Sequence, residues 1–140
     1  MPHTDTTPVS ASIASTGKGI RYIGRYCYAY SGEVLVNEDT QPLLNFQSGS
    51  GFIIASFSYG VDQNAALSGS KLIGFTIQFN GIKVFQVVGQ STSNYPMLDF
   101  DSNYKILIPP LTTVLIESET TNSANIPTYG MLTGRVYGAE

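Results

Sequence analysis

Asn80-Gly81, set between two β-rich runs that together span Lys71 to Val88, constrains this chain more than any other feature. A type I′ turn needs positive φ at both central residues, and Asn-Gly is the pair best suited to it. A hairpin is expected here, and its two-residue loop sets the register. Phe79 then faces Ile82, Ile77 faces Val84, Phe75 faces Gln86 and Ile73 faces Val88, which makes this the core side. The opposite side pairs Gln78 with Lys83, Thr76 with Phe85 and Gly74 with Val87. In that register Phe85 and Val87 point away from the core and need a second layer or another molecule to cover them.

Strand patterns continue on both sides of the hairpin. Tyr22, Tyr26, Tyr28 and Tyr30 share one parity while Arg25, Cys27 and Ala29 share the other, the period of two of a strand with distinct faces. Ser31-Gly32 bends or bulges it. Residues 33–36 and 43–46 flank the turn-rich stretch 37–42. Ile53, Ala55, Phe57 and Tyr59 alternate with Ser56 and Ser58. Tyr104 to Ile108 and Thr112 to Glu119 bracket Pro109-Pro110-Leu111, where the prolines remove ladder donors and require a loop. Val114 and Ile116 point inward and Glu117 and Glu119 outward. Met131 to Tyr137 closes the set. No segment keeps a capped helical period, and Asn64-Ala65-Ala66-Leu67 supports one helical turn at most.

About eight short strands in 140 residues predict an all-β chain folded as a single β-sandwich with jelly-roll or Greek-key connections. The stretch 1–19, rich in Thr, Ser, Pro and Gly, reads as an extended N-terminal arm, and 20–140 as the sandwich domain. No secretory signal is expected, because Met1 to Thr7 lacks a basic region and an apolar run.

Composition narrows the chemistry. Charged residues are only 12% and the net charge is −3 with seven Lys and Arg, which argues against nucleic-acid binding by phosphate neutralisation. No apolar run reaches the length of a membrane helix. Cys27 is alone, so it forms no internal disulfide or multi-cysteine metal site, and its tyrosine neighbours suggest packing as a small hydrophobe. The one histidine, His3, lies in the arm, away from any rigid element that would hold a base beside a nucleophile. Glu117 and Glu119 share a strand face, yet solvated acids explain them more simply than a glycosidase pair. Asp99, Asp101 and Asn103 begin like a calcium loop, but Tyr104 replaces the turn glycine and Pro110 the bidentate acid. Neither a cofactor nor a metal is expected, and no enzymatic activity.

Two features suit binding instead. The tyrosine stripe offers flat amphipathic contact area, for packing or for stacking on a sugar. Lys18, Arg21 and Arg25 make a basic edge on an otherwise acidic chain, able to meet an acidic neighbour.

Ile106-Leu107-Ile108-Pro109-Pro110-Leu111-Thr112-Thr113-Val114-Leu115-Ile116, followed by Leu132-Thr133-Gly134-Arg135-Val136-Tyr137, resembles the closing strands of small β-sandwich proteins of bacteriophage virions, the capsid decoration or cement proteins. The resemblance implies a non-enzymatic protein of the capsid surface, made in the host cytoplasm. Such a protein binds the major capsid protein, often as a trimer, and reinforces the shell by bridging neighbouring capsomers with terminal arms. On this reading Thr4, Thr7, Val9, Ile13, Lys18, Arg21 and Arg25 make the capsid contact. Tyr26, Tyr28, Tyr30, Phe85 and Val87 make the contact between copies. The alternative is a receptor- or glycan-binding head module of a virion or cell surface, marked by a concave site lined with tyrosines and amides.

Overall fold

The computed structural model describes residues 19–61, 71–91, 104–121 and 125–138. Ten strands run through them: β1 (Arg21–Ile23), β2 (Tyr26–Tyr30), β3 (Val34–Val36), β4 (Gln41–Gln47), β5 (Phe52–Val61), β6 (Lys71–Phe79), β7 (Ile82–Ser91), β8 (Tyr104–Ile108), β9 (Thr113–Thr120) and β10 (Ile126–Tyr137). The first sheet has the order β1-β2-β10-β5-β8, with β3 also paired to β10, and the second has the order β4-β9-β6-β7.

The pairing has a simple logic centred on Asn80-Gly81. β6 pairs with β7, β5 with β8, β4 with β9, and β2 and β3 in line with β10, all antiparallel. The chain is thus one long hairpin of eight strand units, rolled so that its successive pairs fall alternately in the two sheets. That is a jelly roll, which decides between the two connection schemes the sequence left open. Asn80 at φ 53° and Gly81 at φ 83° form the expected turn at the tip of the hairpin.

The hairpin register departs from expectation. Phe79 faces Ile82 and Gln78 faces Lys83, but Ile77 then faces Phe85, so that Val84 is an extra residue in a β-bulge. One inserted residue reverses the faces of everything beyond it. Phe85 and Val87 therefore turn inward, opposite Ile77 and Phe75, while Val84, Gln86 and Val88 turn out. Phe85 lies 5.5 Å from the Tyr104 ring and 6.4 Å from Phe75, and Val87 packs on the core. The hydrophobic gain from two inward side chains, with Gln86 returned to water, outweighs the broken ladder step.

A second departure divides the tyrosine stripe. Gly24, at φ 62°, and Arg25 form a two-residue turn, so residues 21–30 are a hairpin rather than one strand. The reversal sends Tyr22 into the core opposite Cys27, whereas Tyr26 and Tyr30 stay exposed. At the other end of the chain, β10 begins five residues before Met131, and β4 takes in Gln41 and Pro42 with a register shift before Leu44. β4 is an edge strand, where a proline costs no shared ladder bond on its free side.

The alternation expected for β5 and β9 holds: Ile53, Ala55, Phe57, Tyr59, Val114 and Ile116 are buried. Phe75 sits at the centre of the sandwich, 4.8 Å from Phe57 and 5.7 Å from Tyr104 in edge-on contacts. Two buried polar links tie the layers. Tyr59 of the first sheet bonds Ser118 of the second, and Ser118 Oγ donates to the Gly74 carbonyl at 2.8 Å. Gly74 has no room for a side chain, because a Cβ would lie 2.1 Å from the Val87 oxygen. At the opposite end, Ser48 Oγ donates to the Pro109 carbonyl at 2.7 Å and accepts from the Thr112 amide at 2.9 Å. The Pro-Pro loop is thereby pinned to the β4–β5 corner.

Candidate interaction surface

Alternation along a strand sends every second side chain outward, so the register defines the outer face of the first sheet row by row. One row runs Ile23, Tyr26, Arg135, Ile54, Leu107; the next runs Arg21, Tyr28, Thr133, Ser56, Lys105; a third holds Tyr30, Met131, Ser58. Tyr137 and Phe52 pair at one end. Large apolar and aromatic side chains crowd this face: Ile23 is 62% exposed, Tyr26 60%, Leu107 55% and Met131 43%. Isolated exposed hydrophobes are ordinary, but a set of them along one row across five strands, with Arg135 at its middle, makes this face the candidate interaction surface.

Arg135 organises one end of the face. Its guanidinium lies 5.7 Å from the Tyr26 ring centroid and 5.5 Å from that of Tyr137, and Phe52 stacks on Tyr137 at 5.3 Å. These contacts hold a planar cation over two rings while leaving charge available for a partner. Arg21, Arg25 and Lys105 add three more positive charges. The carboxylate at the other end is Glu33, just before β3, which accepts a hydrogen bond from the Tyr129 hydroxyl at 3.2 Å. Glu38 and Asp39 follow, exposed, in the connection to β4.

Arg21, Tyr26, Tyr28 and Tyr30 are thus brought together on one surface, with Arg25 exposed in the turn at its end. Phe85 and Val87 are not: they belong to the inner side of the second sheet, with Phe85 only partly covered. Thr4, Thr7, Val9, Ile13 and Lys18 lie outside the described residues, as do His3, the 64–67 turn and the acidic segment from Asp99 to Asn103. The sequence reading missed Phe52, Ile54, Leu107, Met131, Arg135 and Tyr137. The alternation of Met131, Thr133, Arg135 and Tyr137 against buried Leu132 and Val136 was the available signal.

The buried groups are chemically quiet. Burial pushes the Cys27 thiol up to about 12 against a backbone hydrogen bond from Gly134, so the thiol packs as a small hydrophobe. Burial, with the neighbouring Cys27, likewise raises Tyr22 to about 12, and a backbone contact at Gly49 works the other way. Burial raises Tyr59 to about 12 against its bonds to Ser118 and Thr128. On the second sheet, Glu117 accepts a 2.8 Å hydrogen bond from Gln78 Nε2 and Glu119 stands exposed one alternate position on. No cluster of three metal-ligating side chains occurs among the described residues.

The sequence matches no family model and no curated protein. Among solved structures, a chain in that of infectious bursal disease virus, Gx strain, is similar over all of this chain and 42% of its own length, with 14% identity and a TM-score of 0.50. A chain from the Gt strain of the same virus is similar over all of this chain and 39% of its own, with 11% identity and a TM-score of 0.44. Neither is described as a bacteriophage or decoration protein, and this chain spans less than half the length of either. The Gx-strain likeness is one of fold: this chain carries a β-sandwich similar to part of a chain in that virus structure.

Proposed function

We propose that this chain is a structural protein of a virus particle, which sits on the capsid surface and stabilises the shell by bridging neighbouring capsomers. The observation that carries the reading is the outer face of the first sheet. A sheet face bearing Ile23, Tyr26, Ile54 and Leu107 in one row, and Tyr30 and Met131 on the far side of the row that holds Tyr28 and Thr133, is suited to being covered by protein. The fold likeness to a virus structure supports the setting, and the closing-strand resemblance supports the decoration role. Function on this reading is mechanical and non-enzymatic: area buried across capsomer boundaries adds association free energy that resists disassembly. The major capsid protein is the expected partner, contacted through Arg21, Arg25 and the arm.

Cosedimentation of the purified chain with undecorated and mature particles of its own virus tests this. Saturable binding, lost on deletion of residues 1–19 or on Arg21→Glu with Arg25→Glu, is the expected result. Absence of binding to either particle, with glycan-array signal instead, would replace this reading with the receptor- or glycan-binding module.

A further inference from the structure

The outer face of the first sheet carries Arg135 at one end and Glu33 at the other, with Arg21 and Lys105 at the lateral edges between them, and we infer that it pairs with the same face of a second copy across a twofold axis. Arg135, flanked by Tyr26, and the β1–β2 turn with Arg25 mark one end. Glu33, beside Tyr129, marks the other. Tyr129 and Arg135 are six residues apart on β10, about 20 Å at roughly 3.4 Å per residue. Turning a second copy over so that its β10 runs antiparallel above the first places each Arg135 end over the other's Glu33 end.

The lateral positions agree as well. Glu33 continues the line of β2 and β3 along one edge of β10, and Tyr26, over which Arg135 leans, lies on that same line. Under the twofold, Glu33 of one copy falls over Tyr26 and Arg135 of the other, and the reverse contact forms by symmetry. The midpoint between residues 129 and 135 puts the axis between the outward side chains of Met131 and Thr133. Met131, Tyr28 and Tyr30 then lie at the centre with the small side chains of Thr133, Ser56 and Ser58, Arg21 and Lys105 stand at its lateral rim, and Glu33–Arg135 pairs close both ends, the self-complementary pattern an isologous contact requires. The aliphatic residues of the face, and the use of the Tyr26 and Tyr137 rings by Arg135, favour this occupant over the stacked bases of a nucleic acid.

The contact assigns the outer face, Arg25 included, to a second copy and leaves the arm for the capsid; its biological use rests on the virion reading, but its test needs only the purified chain. Light scattering on a sizing column should give about 30 kDa for the wild type, twice the 15.1 kDa of one chain. Arg135→Glu and Glu33→Arg should each give about 15 kDa, with thermal unfolding near that of wild type. Mixing the two variants in equal amounts should restore about 30 kDa, since both end pairs are then opposite in sign. A wild-type monomer, a mass that neither variant changes, or mixing that restores nothing would overturn the inference. A mixture that grows beyond a dimer would show a head-to-tail contact, and a wild-type trimer the arrangement implied by the cement resemblance; each overturns the twofold. Loss of the dimer with retained particle binding would leave the virion reading standing.

Discussion

The two sheets share one pleat, one core and one alternation, yet they turn different chemistry outward. The first presents Ile23, Tyr26, Tyr30, Ile54, Leu107 and Met131 with four cations. The second presents Asn45, Thr76, Gln78, Gln86, Glu117 and Glu119, with Leu72, Val84 and Val88 as its exposed apolar exceptions and Leu115 half-buried among them. Both faces are equally compatible with folding, because a sandwich needs only its inner sides to be apolar. The difference therefore reports on use. An amide and carboxylate face is already satisfied by water, whereas an aromatic and aliphatic face gains free energy when something covers it.

The comparison breaks most completely if the layer between the sheets is emptied. Phe75→Ala removes the ring that meets Phe57, Tyr59 and Tyr104, and the expected loss is about 3–5 kcal/mol in urea unfolding, enough to lose both faces together. A smaller effect sharpens the account of the second sheet: Phe85→Ala removes the ring that the bulge at Val84 turns inward against Phe75 and Tyr104. The expected cost is roughly 1.5–3 kcal/mol, with altered near-ultraviolet dichroism from the Phe75–Phe85–Tyr104 group. Tyr59→Phe cuts the bond to Ser118 that joins the layers and should cost about 1–2 kcal/mol.

Alkaline pH acts on the same interior groups. Tyr22 and Tyr59 hold their protons to about 12 in the folded chain but release them near 10 when unfolded, and Cys27 goes from about 9 to about 12. The unfolded chain binds fewer protons in that window, so stability is fully present below about pH 9 and falls as pH rises toward 12. Unfolding midpoints measured across pH 8–12 check the sign, and Tyr59→Phe should flatten part of the slope.

The smallest effects separate the two faces. Thr76→Ala and Gln86→Ala on the second sheet should change stability by no more than about 0.5 kcal/mol and leave the mass in solution unchanged. Tyr30→Ser and Met131→Ser on the first should be as mild for unfolding yet lower the association constant measured by sedimentation. Equal effects of both pairs on association would erase the distinction between the faces.

Much of this was legible in the residues. Asn80-Gly81 marks the tip of the rolled hairpin, and the alternations of β5 and β9 give their buried sides directly. Pro109-Pro110 marks a corner. The Gly24-Arg25 turn was hidden because four tyrosines of one parity imitate a continuous strand, and only burial of Tyr22 beside Cys27 reveals the reversal. The candidate surface was half visible: Tyr26, Tyr28 and Tyr30 stand together in the sequence, whereas Ile54, Leu107 and Arg135 join them from strands far away along the chain.

What the sequence by itself determined is local: where the chain turns with positive φ, where proline forbids a ladder, and which side of a regular strand is apolar. Those are properties of a few adjacent residues and their backbone sterics. Tertiary structure alone decided the rest. The place of β10 between β2 and β5, and with it the meeting of Arg135 and Tyr26, depends on pairing across the full length of the chain. So does the bulge at Val84, since only the packed layer of Phe57, Phe75 and Tyr104 makes an inward Phe85 worth a broken ladder step.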